Sequence, residues 1–206
     1  MAEKLYIYGC GGHAKVVAAT ARLCGYEIAG FWEDSIARVG TDFFGSRIIR
    51  FEDVPQDTAV FVAFGNNRMR LEKGRMLEKN FQVPTLIHPS AQIAEGVTIG
   101  IGCYIGALSN IDPDCEIGDF CIVNNGANIS HESLLQNGCH VCGGCQVAGN
   151  CVIGEEVMFG IGSCMIEKCS VGDHCVIGAG STVIRDIPMV SIAVGSPAKV
   201  IRKNNG

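Results

Sequence analysis

The sequence predicts a two-part chain, a short βαβαβ unit followed by a solenoid built in six-residue steps. Two observations predict it. The first 84 or so residues of the 206 alternate short apolar runs with Gly-rich turns. From residue 87 every sixth residue is apolar: Ile87, Ile93, Ile99, Ile105, Ile111, Ile117, Val123, Ile129, Leu135, Val141, Val147, Ile153, Phe159, Met165, Val171, Ile177 and Val183. With 48% of residues apolar, an unbroken run of 17 arises by chance roughly a few times in a million per register.

In the first part, "YIYGCGGHAKVV", residues 6–17, reads as a strand, a Gly-rich turn and a helix, with Ala14, Val17, Ala18, Ala21 and Cys24 on one helical face. "EIAGFWEDS", residues 27–35, reads as a second strand ending in acids, and "AVFVAFGNNRMR", residues 59–70, as a third strand with another loop-to-helix turn. "VPTLIHPSA", residues 83–91, leads into the first six-residue step.

In the second part, the residue four places after each periodic apolar position is small, from Ala91 and Val97 through Cys103, Ser109, Cys115 and Cys121 to Ser181. Residues four apart on an extended chain share a side. Each hexad therefore turns one branched apolar and one small residue inward, with the frequent following glycines suited to tight corners. Period six fits neither an α-helix nor a flat alternating sheet. It fits a solenoid whose units bury their apolar faces by stacking.

The same rule bears on "NGCHVCGGCQVAGNC", residues 137–151, whose C-x-x-C-x-x-C spacing resembles a metal-ligand run. Eight of twelve cysteines, among them Cys139, Cys145 and Cys151, fall in the small inward slot. Cysteine is a small, often buried hydrophobe, and Cys142, next to an inward residue, is expected to point away from its neighbours. No metal site is expected here. With 16 Lys plus Arg against 21 Asp plus Glu, the charge gives no support for a nucleic-acid partner. No apolar run reaches about 18 residues, so no membrane span is expected, and the start reads as lacking a signal peptide. The chain reads as cytosolic, with its cysteines as thiols.

The hexads resemble the left-handed parallel β-helix of the hexapeptide-repeat acyltransferases, in which three hexads make one triangular coil. "AVGSPAKVI", residues 193–201, resembles that family's closing segment. With "YGCGGHAKVV", "FGNN", "IHPSA" and "NISHES", the whole chain resembles the NeuD/PglD-like sugar acetyltransferases. The likeness implies a Rossmann-like sugar-nucleotide-binding domain over 1–84 and a β-helix acetyltransferase domain over 85–206. It implies acetyl-CoA as co-substrate, no metal, and a homotrimer with acetyl-CoA between neighbouring coils.

The expected reaction is N-acetylation of the 4-amino group of a UDP-linked 4-amino-4,6-dideoxy sugar. The alternative is O-acetylation of sialic acid or another sugar hydroxyl. "NISHES" carries the expected catalytic pair. His131 is the general base by family pattern, since simple alternation would turn it inward unless a corner lies between 129 and 133. An imidazole, with an ordinary pKa of about 6.5, suits the task. Glu132 orients it. For acetyl-CoA the likeness implies Asn124, His140 (donating to the thioester carbonyl or holding pantetheine), the backbone N–H of Gly149 at the oxyanion, and Ile161 and Ala179 along the coils. His88 is read as structural, and Lys199, Arg202 and Lys203 as a solvated end.

Gly9, Gly11 and Ala14 fit G-x-G-x-x-[G/A], with Glu33 and Asp34 about 20 residues on. A helix N-terminus after such a turn offers free N–H groups to phosphate. The motif alone equally suits a nicotinamide site. By the likeness, Gly11, Gly12 and His13 approach the diphosphate or sugar, Glu33 and Asp34 line the nucleoside pocket, and Gly65, Asn66 and Asn67 contribute from the third loop.

Overall fold

In a computed structural model, described over residues 2–205, the two parts are present and packed together. The N-terminal part is a parallel sheet of β1 (Lys4–Tyr8), β2 (Glu27–Trp32) and β5 (Ala59–Val62), in the order β2-β1-β5. Helix α1 (Gly12–Leu23) joins β1 to β2, and α2 (Asn67–Leu77) follows β5. The connection from β2 to β5 differs from the βαβαβ expectation. It holds two 3₁₀ turns, Ile36–Arg38 and Phe51–Asp53, and a hairpin of β3 (Asp42–Phe43) and β4 (Ser46–Arg47). Gly40, Gly45 and Pro55 interrupt this stretch, and it carries no 3.6-residue apolar stripe that a helix could bury.

On α1, Ala14, Val17, Ala18 and Ala21 are buried as expected, but Cys24 is exposed. The helix stops at Leu23, Cys24 is its C-cap and Gly25 adopts φ 91°, so the stripe's last place lies outside the helix. Thr20 is buried in its stead, with its hydroxyl 3.0 Å from that of Tyr104.

The second part is a parallel β-helix. Two-residue strands pair with the strand 18 residues on, Asn110–Ile111 with Asn128–Ile129 and Ile122–Val123 with His140–Val141. They form three sheets of six, five and eight strands, the last completed by the longer closing strands Ser191–Val194 and Lys199–Lys203, which pair antiparallel. The periodic apolar residues fill the core from Ile105 to Val183. Ile87 is 37% exposed and Ile93 and Ile99 only half-buried, because the first coil has a neighbour on one side alone. The small slots are buried from Cys103 onward, and their thiols donate to carbonyls of the next coil: Cys139 to Gly154 at 2.9 Å, Cys145 to Gly160 at 3.1 Å, Cys151 to Ile166 at 3.2 Å. Cys142 is half-buried against the same core, and burial pushes its thiol up to about 11. Among the described residues no group of three or more His, Cys, Asp or Glu is arranged to hold a metal.

The glycines after the inward residues answer to a different constraint than cornering. A Cβ at Gly160 would sit 2.5 Å from the backbone nitrogen of Ala179 in the next coil. The left-handed corner residues lie elsewhere, at Glu132 (φ 58°), Asn150 (φ 59°) and their equivalents.

Helix α2 holds the two parts together. Arg70, 1% exposed, donates from Nε to the Phe120 carbonyl at 2.7 Å and from Nη2 to the Gly138 carbonyl at 2.8 Å. Asn67 Nδ2 donates to the carbonyls of Glu156 and Val157 at 2.9 and 3.0 Å, and Arg75 pairs with Asp119 at 2.7 Å. Gly74 lies against the Phe120 ring, where a Cβ would collide. Among the described residues no helix is long and apolar enough to cross a membrane.

Candidate active site

His131 and Glu132 form the corner between two strands, Asn128–Ile129 and Leu134–Leu135, so alternation fails there and the His131 side chain is 57% exposed. Its Nδ1 lies 3.0 Å from Glu132 Oε2, which also accepts from Asn150 Nδ2 at 3.0 Å. His131, then Asn150, hold the Glu132 carboxyl below its ordinary range. With Nδ1 engaged by a carboxylate, Nε2 is the nitrogen left to accept a proton.

Gly149 is one coil on from His131, directly against the ring. A Cβ there would lie 2.5 Å from His131 Cε1 and 2.6 Å from Nε2. The Gly149 N–H donates to no protein acceptor among the described residues. Gly149 has no left-handed φ, so its backbone tolerates alanine. Gly149→Ala is expected to fold normally but to displace the imidazole, lowering kcat for acetyl transfer about 10²-fold. Steady-state kinetics alongside a thermal melt checks both halves.

His140 lies in a different place. It is nine residues from His131, half of an 18-residue coil, and so on the opposite side of the β-helix. No hydrogen bond joins the two groups among the described residues. His140 sits on strand His140–Val141, beneath the N-terminal part, with Nε2 3.3 Å from Asn124 Nδ2. Its Nδ1 is buried without a hydrogen-bond partner among the described residues, and the Gly65 backbone lies beside the ring. His13 packs edge-on to Tyr104, ring centroids 5.4 Å apart, and its buried Nε2 has no partner.

Burial, then the charge of Arg70, push His140 down to about 4, and burial, Arg70 and His140 push His13 down to about 3. In the unfolded chain an imidazole titrates at about 6.5. As pH falls below that, the unfolded state takes up protons that the folded state refuses, so stability is greatest above about pH 6.5 and declines towards pH 4. The urea midpoint is expected to fall between pH 7 and pH 5, and to fall less in His13→Gln and His140→Gln.

The N-terminal residues gather around two adjoining clefts. Gly9, Gly11, Gly12, His13, Glu33 and Gly65 line one of about 440 Å³. Glu33 also lines its neighbour, about 690 Å³, with Asp34, Trp32, Phe51, Tyr8 and Lys73. Tyr8 stacks on Trp32 at 4.9 Å and donates its hydroxyl to Asp34, while Lys73 approaches Asp34 to 3.4 Å. Gly11 is the N-cap of α1 and supplies no side-chain cap, so first-turn N–H groups face the glycine-lined cleft.

Asn66 and Asn67 are engaged by the fold. Asn66 Oδ1 caps α2 by accepting from Met69 N at 2.9 Å, and Asn67 Oδ1 accepts from Arg70 Nη2 at 2.9 Å. Ile161, 65% exposed, and Ala179 lie one above the other at a second corner of the β-helix. Sequence reasoning missed Asn150, Lys73, Trp32 and Phe51. Asn150 was findable, since it is Glu132 plus one coil.

With this geometry established, two family descriptions match the chain: the PglD N-terminal domain over residues 4–77, and the bacterial transferase hexapeptide repeat over 150–185. A point mutant of perosamine N-acetyltransferase from Caulobacter crescentus, solved with CoA and GDP-perosamine, is 32% identical with a TM-score of 0.90, covering 97% of each chain. The chain belongs to the NeuD/PglD-like sugar acetyltransferases of the left-handed β-helix, hexapeptide-repeat superfamily.

The acetyltransferase domain of PglB from Neisseria gonorrhoeae, solved with acetyl coenzyme A, is 31% identical with a TM-score of 0.89, covering 98% of this chain and 100% of that one. Serine acetyltransferase 3 of Arabidopsis thaliana is 32% identical over 55% of this chain. The matched stretch spans 26% of the length of that relative, and 24% to 61% of the length of the curated relatives it resembles.

Proposed function

We propose that the chain transfers acetyl from acetyl-CoA to the amino group of a nucleotide-linked amino sugar, with His131 as general base. The observation that carries the reading is His131 itself, exposed, paired through Nδ1 with Glu132 and seated on Gly149, whose N–H has no acceptor among the described residues. The amine nitrogen attacks the thioester carbonyl and gives its proton to Nε2. Glu132 favours the imidazolium that forms. The Gly149 N–H faces the oxyanion. As the tetrahedral intermediate collapses, the C–S bond breaks and the proton returns to the departing CoA thiolate. The product is the amide, with no acyl-enzyme.

In this reading residues 1–84 hold the nucleotide sugar, with Gly11, Gly12 and His13 at the diphosphate and Glu33 and Asp34 at the nucleoside. Residues 85–206 hold acetyl-CoA, which runs past Ile161 and Ala179. The half-coil separation of His131 from His140 supports a symmetric oligomer, a trimer in this proposal, in which a neighbour's His140 face meets His131. The amine assignment draws on the relative solved with GDP-perosamine. The nucleotide is UDP in the sequence reading, and GDP is the competing choice. Mass spectrometry of purified protein with acetyl-CoA and UDP-, dTDP- or GDP-linked 4-amino sugars, or free sialic acid, tests all of this. One amino sugar gaining an acetyl group is expected. Acetylation of the hydroxyl acceptor alone would replace the amine reading, and no binding of acetyl-CoA would remove the enzyme reading.

A further inference from the structure

The environment of His140 specifies which of its nitrogens carries the proton. Asn124 Oδ1 accepts from the Asn125 N–H at 2.8 Å, so that end of the amide is taken. The other end, the Nδ2 amino group, is the one 3.3 Å from His140 Nε2. An amide NH₂ donates and does not accept, so Nε2 must accept. The proton then belongs on Nδ1, which is buried, with the Gly65 backbone beside the ring. Gly65 comes from the loop after β5, in the other part of the protein.

Arg70 braces that arrangement from both sides. Its Nη1 donates to the carbonyls of Phe64 at 3.0 Å and Gly65 at 3.4 Å, and its Nη2 to those of Gly138 at 2.8 Å and Cys139 at 3.2 Å. Cys139 immediately precedes His140. One planar guanidinium thus sets the separation between the Gly65 loop and the His140 strand. It is fully buried and has no carboxylate partner among the described residues, five of its six acceptors there being backbone carbonyls.

We propose that Arg70 is a positioning residue that holds the Gly65 loop against the His140 strand, so that His140 presents Nε2 as a hydrogen-bond acceptor. The sequence reading allowed His140 to donate to the thioester carbonyl, and an acceptor nitrogen cannot do that. It receives an N–H from the sugar amine or from a pantetheine amide, which takes the place of Asn124 Nδ2 on the single lone pair of that nitrogen. Arg70 from α2 and His13 from α1 are the cationic and titratable groups facing His140: Arg70 opposes its protonation, and His140 in turn opposes that of His13. The use of Nε2 in turnover rests on the acetyl-transfer reading, whereas the tautomer does not.

The test is nitrogen-15 NMR of the full chain labelled at histidine, with the His140 signals identified by their loss in His140→Gln. In the wild type the expected result is a single Nδ1–H tautomer that stays neutral from about pH 7.5 to pH 5.5. An Nε2–H tautomer, or protonation within that range, overturns the proposal. In Arg70→Lys, whose ammonium cannot span both sets of carbonyls, His140 is expected to lose its single tautomer and to titrate at higher pH. The KM of the substrate supplying the N–H is expected to rise at least tenfold. A rise for the nucleotide sugar assigns the N–H to the amine, and a rise for acetyl-CoA assigns it to pantetheine. Unchanged His140 signals and kinetics in a folded Arg70→Lys overturn the positioning role. Should that variant not fold, Arg70→Gln takes its place, and the wild-type tautomer decides the acceptor role by itself. A wrong tautomer with intact acetylation overturns this inference alone, while the expected tautomer without acetylation overturns the proposed function alone.

Discussion

His131→Ala is expected to lower kcat for acetyl transfer about 10²–10⁴-fold, the usual contribution of a positioned general base. KM for both substrates should change little, because the imidazole acts on a proton that moves only in the transition state. The fold should not notice the change. The side chain is more than half exposed and its polar contact is with Glu132, its immediate neighbour. Its backbone carbonyl, which accepts from Asn150 N at 2.9 Å, is untouched. Kinetics with the acetylated acceptor measured by mass spectrometry, together with a thermal melt, test this. Turnover equal to wild type would remove His131 from the mechanism. Glu132→Gln should give a smaller loss, since the amide still meets Nδ1 but no longer favours the imidazolium.

Arg70→Met is expected to have the largest effect on stability, a loss of about 3–5 kcal/mol by urea unfolding. Methionine fills most of the volume but offers no donor to the carbonyls of Phe64, Phe120 and Gly138. Each buried acceptor left alone costs about 1–3 kcal/mol. The loss is partly offset because a buried charge is removed: burial already holds the guanidinium down to about 10. The break should come first at the contact between the two parts. A separate early transition for the N-terminal part would show it, with the β-helix melting near its original temperature. A loss under about 1 kcal/mol would mean that water replaces the guanidinium and that α2 is held by Asn67, Arg75 and Gly74 alone.

The His131–Glu132 corner was legible because the six-residue register says where strands end, and the likeness in "NISHES" picked the corner that matters. Asn150 follows from the same arithmetic, as does Gly149 against the ring. Arg70 had no such signal. It is one of three basic residues in "NRMRLEK", and nothing in spacing or charge separates it from Arg68, which is exposed and pairs with Glu72 at 2.9 Å. The difference is the direction of the helix face, which depends on how α2 lands on the coils. Asn67 meets the same limit, because a polar residue in a Gly-rich loop looks alike whether it meets a substrate or another strand's carbonyls, and here its amide reaches those of Glu156 and Val157. Cys24 failed through a helix end placed one residue too far, where Gly25 takes over.

By itself the sequence determined the β-helix and the burial of its thiols, because a coil repeats every 18 residues and each position sees the same surroundings as its equivalents. Periodicity turns a three-dimensional packing problem into counting. It also determined the strand–turn–helix start, where local chemistry suffices. Only the tertiary structure decided how the two parts meet, and with it the neutral His13 and His140 and the buried Arg70. Those features arise from contacts between residues 40 to 130 places apart with no repeat to relate them, as when Arg70 reaches Phe120 and Gly138 or His13 meets the field of His140. Burial and charge at such a junction are properties of the packed pair, and neither segment carries them alone.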